Sequence, residues 1–321
     1  MKTKMKTKKQ YFKTQIALYV LAFLALSVTS CDNDDPKIEL PMPEISNVEI
    51  GLSNNETGVI GRDFHFNAEI LAGDKIDLVQ IKIEPINGET YASPWSYEIT
   101  WDEFKGIKNA TVHEHFDIPE NAIEGNYDFI IVITDENGTV LEEKRNITII
   151  LAENLPVDPF WGFMSVGNLE TGRNAIRYDA YSGVSFGDPD NTLYMGELFN
   201  AGAFVYEVKG DGQLYVVLIK KDLNHKPHTI DAIDYSKTII WDIHKHTGIE
   251  SPELFGNEDA AAEIIPELLI GAEFDNNEPT ANAISGSKAW EEGDYYLGFL
   301  YENTTYNISI YHYFEVTLEI E

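Results

Sequence analysis

The chain has 321 residues, of which 54 are acidic and 23 basic, giving a formal charge of −31 at neutral pH. Such a field repels phosphate backbones, so nucleic acid is excluded as a partner, while cations and basic partners are favoured and a surface protein is kept soluble. Hydrophobic residues make up 43%, with 17 Tyr and 16 Phe, which excludes a disordered chain and supplies cores for two domains of ordinary size.

The first thirteen residues hold Lys2, Lys4, Lys6, Lys8, Lys9 and Lys13 and no acid, and an apolar run follows over 16–28. These are the basic and apolar regions of a secretory signal. The run is thirteen residues long, short of the about 20 that a helix needs to cross a bilayer, so a permanent span is not expected. Val28-Thr29-Ser30-Cys31 resembles the bacterial lipobox. The resemblance implies a signal peptide over 1–30 and a Cys31 thiol that carries diacylglycerol. Cys31 is the only cysteine, which excludes disulfides, thiolate metal clusters and cysteine catalysis in the domains. Asp32-Asn33-Asp34-Asp35 resembles the acidic export tags of Bacteroidota surface lipoproteins, with a plain solvated linker as the alternative. Residues 31–44, with Pro36, Pro41 and Pro43, read as a lipidated, extended acidic tether. The expected location is the outer membrane, lipid-anchored and facing the cell surface, and several acyl chains would make that anchor permanent.

Short segments that alternate apolar with polar residues come next, at 45–50, 63–71, 76–83, 95–101, 111–118, 127–134 and 140–151. Asn137-Gly138 supplies a hairpin turn between the last two. Seven strands in about 110 residues predict an immunoglobulin-like β-sandwich over 45–152. Tyr127 is placed to close a sandwich corner. Phe64-His65-Phe66, Val112-His113-Glu114-His115-Phe116-Asp117-Ile118-Pro119, Gly125-Asn126-Tyr127-Asp128-Phe129 and Thr134-Asp135 resemble domain of unknown function 4625, found in Bacteroidota lipoproteins. The likeness covers roughly 37–152. Relatives often carry a further histidine in the strand after the glycine, where this chain has Asp128, Phe129 and Ile130, and the family brings no settled activity.

Pro156 and Pro159 mark a boundary, and 153–321 is expected to be a second β-rich domain of unknown family with a short helix. Residues 162–194 read as short strands and turns. Residues 203–208 and 213–220 read as a hairpin around Lys209-Gly210-Asp211-Gly212, and 237–243 as another strand. Asn257 is a candidate cap for a helix through Leu269 that Pro266 must shorten or bend. Strands resume at 295–301 and 307–319. The fold class is therefore mainly all-β.

Three histidines carry the sharpest expectation. His113 and His115 sit two apart on one strand and leave the same face. In the immunoglobulin topology that fifth strand neighbours the second, which carries His65 on its polar side beside Asp63 and Glu69. His65, His113 and His115 thus form a candidate site for Zn or Cu, with carboxylates nearby, against the alternative of solvated surface imidazoles. Glu114 falls on the inward side, where an unpaired carboxylate is costly. The pairs His225/His228 and His244/His246 give no fixed geometry, and Gly187-Asp188-Pro189-Asp190-Asn191 reads as a turn rather than a calcium loop. No zincin motif, phosphate-binding glycine loop or Gly-x-Ser-x-Gly elbow occurs. The expected function is a non-enzymatic binding or presentation module for a divalent metal, a small ligand or a glycan, with handover to an outer-membrane transporter. Trp161, Tyr178, Tyr181, Trp241 and Trp290 are candidate sugar platforms that equally suit cores. The rival is a surface hydrolase with carboxylate chemistry in the second half.

Overall fold

The protein is described by a computed structural model covering residues 40–258 and 266–320. The expected signal peptide, Cys31 and the expected export tag Asp32-Asn33-Asp34-Asp35 lie outside the described residues. Eight strands build the first part: β1 (Glu44–Ile50), β2 (Thr57–Val59), β3 (Asp63–Leu71), β4 (Ile76–Pro85), β5 (Tyr97–Trp101), β6 (Asn109–Asp117), β7 (Gly125–Asp135) and β8 (Val140–Ile150). They form two sheets, ordered β1-β3-β6 and β2-β8-β7-β4-β5. Alternation dictates the packing: Phe64, Phe66, Ala68 and Ile70 of β3 face Val79, Ile81 and Ile83 of β4 and Tyr127, Phe129, Ile131 and Ile133 of β7 in one core. Burying each large side chain contributes about 2 kcal/mol, so this core carries the sandwich. Tyr127 is fully buried and its hydroxyl donates to the Ile123 carbonyl at 2.8 Å, closing the corner expected of it. The turn into β8 is held by the Asp135 carboxylate, which accepts the Asn137 N–H, and Gly138 takes a positive φ of 88°. The short strand β2, which pairs in parallel with β8, has no alternation long enough to announce it.

Nine strands follow: β9 (Phe160–Gly167), β10 (Asn174–Asp179), β11 (Val184–Ser185), β12 (Thr192–Tyr194), β13 (Leu198–Lys220), β14 (Thr238–Gly256), β15 (Glu267–Leu269), β16 (Gly293–Asn303) and β17 (Ile308–Glu319). All nine belong to one sheet, centred on β13. The hairpin expected around 209–212 does not form. Instead β13 runs on for 23 residues and bends there, with register shifts from Val205 to Gly212. Gly210 marks the bend because a Cβ would sit 2.5 Å from Thr305 Oγ1 and because its φ is +75°. The two halves of β13 then take different neighbours, β9 and β15 before the bend and β16 after it, while β14 runs along both. The expected helix is likewise corrected over its described end, since Glu267–Leu269 is strand β15. The Asn257 amide bridges the Ala203 N–H, the Ala201 carbonyl and Asp242, and so ties β14 to β13, while 259–265, where the body of the expected helix falls, lie outside the described residues. No α-helix occurs among the described residues, and none is long and apolar enough to cross a membrane.

Beyond its bend β13 is buried on both faces. Leu214, Val216 and Leu218 enter the main core with Trp241 and Phe299, while Tyr215, Val217 and Ile219 face the other way. That second apolar face must be covered. The segment 224–237 covers it, inserting Ile230 and Ile233 against Tyr215, Val217, Ile219, Ile240 and Leu300. Met42–Glu321 make one compact unit, so this segment and the sandwich belong to the same body.

Candidate metal centre

The site begins with strand register. β3 and β6 pair antiparallel with His65 opposite His115 and Asn67 opposite His113, so the three imidazoles leave one face of the three-stranded sheet together. Their ring centroids are 4.9 Å apart for His65 and His113, 5.0 Å for His65 and His115, and 5.5 Å for His113 and His115. A fourth imidazole closes the group. His228, on the covering segment 224–237, lies 5.3 Å from His113, 5.2 Å from His115 and 6.2 Å from His65. One nitrogen from each of the four rings lies within 4.8 Å of the other three.

Packing holds His228 there. Its ring stacks on Tyr311 of β17 at 4.1 Å and 4°. The Tyr313 hydroxyl donates to the Pro227 carbonyl at 2.5 Å, and the Asp234 N–H donates to His225 Nε2 at 3.0 Å. With Ile230 and Ile233 anchored below, the chain has little freedom at residue 228.

Two carboxylates set the tautomers. His115 Nδ1 lies 2.7 Å from Asp63 Oδ2, and His65 Nε2 lies 3.5 Å from Glu49 Oε2. A carboxylate only accepts, so those two nitrogens are the ones placed to donate, and a neutral ring that donates there presents its opposite nitrogen to a metal. The opposite nitrogens, His65 Nδ1 and His115 Nε2, face each other at 3.3 Å. Four nitrogens bound tetrahedrally at 2.0–2.1 Å would be separated by about 3.3 Å, so this pair already spans one tetrahedral edge. His228 Nδ1 is buried and has no hydrogen-bond partner among the described residues.

Protons are poor occupants of two of these rings. Burial, then the charges of His115, His113, His65 and Lys226, push His228 down to about 3. Burial followed by His65 and His115 also lowers His113, against a smaller opposing pull from Glu49. Glu49 would be raised by its burial, but the hydrogen bond and charge of His65, with the backbone N–H groups of Ser53 and Asn54, bring it below the ordinary carboxylate range. A divalent cation on four neutral rings would be balanced by the two negative charges of Asp63 and Glu49.

His65, His113 and His115 are therefore brought together, and His228 joins them from outside the candidate set. Its own partner in sequence, His225, is occupied by the Asp234 N–H. His244 stacks on Phe255, and His246 bridges the Gly210 carbonyl and the Tyr301 hydroxyl. Glu114 sits opposite Phe66 on the inward side, half-buried, and burial with nearby Glu103 raises it. Asp190 accepts the Thr192 N–H in an ordinary turn. Of the aromatic candidates, Trp161 and Trp241 lie in the core with Trp290 and Tyr178 packed against it, while Tyr181 is 85% exposed.

The geometry of the histidine-bearing sandwich coincides with a known sequence family. Residues 29–150 match the family described as Domain of unknown function (DUF4625). His65, His113, His115, Asp63 and Glu49 thus lie within the DUF4625 segment, and His228 lies beyond it. No curated protein matches the chain. Among solved structures, dimeric latent PorU from Porphyromonas gingivalis is 10% identical, with a TM-score of 0.28 over 91% of this chain and 21% of that one. A carbohydrate-binding module of the β-sandwich superfamily is 14% identical, with a TM-score of 0.24 over 68% of this chain and 84% of that one. An ice-binding adhesin of an Antarctic bacterium is 10% identical, with a TM-score of 0.20 over 88% and 50%. The chain spans about a fifth of the PorU chain. Likenesses this distant carry no argument about what the chain does.

Proposed function

We propose that the protein is a non-enzymatic module that binds one Zn or Cu ion through His65, His113, His115 and His228. The observation that carries the reading is the facing pair of ring nitrogens, His65 Nδ1 and His115 Nε2 at 3.3 Å, each ring with a carboxylate at its other nitrogen. Histidines that bind metal commonly donate their other N–H to a carboxylate in this way. Four protein ligands complete a tetrahedral shell, and hydrolytic zinc sites keep one position open for water, so the set favours holding the ion over using it as a catalyst. In this reading a lipid on Cys31 and the acidic tether present the site at the outer membrane, where an outer-membrane transporter is the partner class for handover.

The test is metal content and isothermal titration with ZnCl2 and CuCl2 on the chain from Asp32 onward. One ion per chain, with affinity reduced at least a hundredfold by His65→Ala or His115→Ala, supports the reading. Binding no tighter than that of a generic acidic surface, or unchanged by either substitution, rejects it.

A further inference from the structure

We infer that the metal is a clamp between the two β assemblies, joining the sandwich to the nine-stranded body; this rests on the metal reading above and assigns the bound ion its role. Three ligands come from the sandwich sheet and one, His228, from a segment whose anchors Ile230 and Ile233 belong to the core beside β13. Coordination therefore closes a link that no single assembly supplies.

Among the described residues, other ties across the junction are slender. Ser53 Oγ and Ser309 Oγ share a hydrogen bond of 2.8 Å, Asn307 donates its side-chain N–H to the Ser53 carbonyl at 3.2 Å, and Arg62 pairs with Asp158 of the connecting segment. The Arg62 and Asp158 side chains are 46% and 39% exposed, a setting in which ion pairs contribute little. The apolar cores do not merge. One is drawn from residues between Ile50 and Ile149, and the other two are drawn from residues between Trp161 and Leu318. Four bonds to one ion would be the strongest connection at this junction.

The clamp also bears on a cleft of about 520 Å³ lined from both sides, by Leu52, Asn55 and Arg62 of the sandwich and by Trp161, Tyr306 and Tyr311 beyond it. Asp63, His65 and Tyr311 line the cleft and also build the histidine cluster. Its volume is in the range of small-molecule sites, about 300–1,000 Å³. Metal occupancy would hold those walls at one separation.

The experiment uses the chain from Asp32 onward, which has no cysteine, with Glu142→Cys on β8 and Thr304→Cys after β16. Both residues are exposed. Nitroxide labels on the two sites report the distance between assemblies by pulsed electron resonance, with zinc as the silent metal and its binding followed by calorimetry on the same samples. The expected result is a broad distance distribution without zinc and a single narrow one with it. In His228→Ala, whose three remaining ligands still take zinc at higher concentration, the distribution stays broad at saturation. Zinc that binds to the wild type without narrowing the distribution, or that narrows it equally in His228→Ala, overturns the clamp and leaves the metal site standing. No zinc binding at all overturns both.

Discussion

Replacing Asp63 by asparagine tests the chemistry of the site without touching a ligand. Asp63 Oδ2 accepts the His115 Nδ1 proton at 2.7 Å, so the amide side chain of Asp63→Asn keeps an acceptor in place and preserves the tautomer, while the negative charge is lost. Removing such a partner behind a metal-bound histidine typically costs tenfold to a hundredfold in affinity. The Asp63 side chain is 53% exposed, so solvent screens its charge and the effect belongs at the low end, about tenfold or about 1.4 kcal/mol. Glu49→Gln should cost less, because its contact with His65 is longer, at 3.5 Å. Competition against a chromogenic zinc chelator at fixed pH measures both. An Asp63→Asn affinity within twofold of wild type would show that the carboxylate does not back a ligand. A loss as large as that of His115→Ala would mean that Asp63 is itself a ligand or that the ring has moved.

Acid should weaken the metal-free fold. Burial first of all holds His225, His228, His246 and His312 below their ordinary value, whereas the unfolded chain regains a pKa near 6.5. Below that pH the unfolded state binds more protons, so stability is complete above about 6.5 and falls as pH drops toward the folded values; a melting temperature that is flat from pH 7.5 to 5 in chelator would contradict this. Tyr127→Phe leaves the Ile123 carbonyl without its donor and should lower unfolding free energy by about 1–2 kcal/mol, read from urea midpoints. A change under about 0.3 kcal/mol would deny the corner a structural role. Cys31→Ala should abolish incorporation of labelled palmitate and release the protein from membranes, and label that persists on the variant would remove the lipid anchor from the account.

Side-chain alternation made three of the four clustered histidines legible in the sequence. Period-two patterning in β3 and β6 assigns Phe64, Phe66, Val112 and Phe116 to the core and therefore sends His65, His113 and His115 to the opposite face, and the sandwich order makes those strands neighbours. Register supplied what the pattern lacks, placing His65 directly across from His115. His228 was illegible for a physical reason: its position follows from the need to cover Tyr215, Val217 and Ile219, and that second apolar face exists only because β13 bends and is buried on both sides. Near it in sequence stands only His225, which points to the wrong partner. The same bend hid β13 itself, since Lys209-Gly210-Asp211-Gly212 carries the composition of a hairpin turn but serves as a bulge in a continuous strand. The part that Asn257 plays for β13 was equally hidden, because nothing in its sequence position announces that its amide satisfies backbone groups of the neighbouring strand.

X-ray absorption at the zinc edge of the loaded chain counts the imidazoles around the ion. A four-histidine centre gives a single shell of four nitrogens at about 2.0–2.1 Å with the outer-shell scattering of four imidazoles, falling to three imidazoles in His228→Ala. A wild-type shell with three or fewer imidazoles, or one completed by carboxylate or water oxygen, would contradict it.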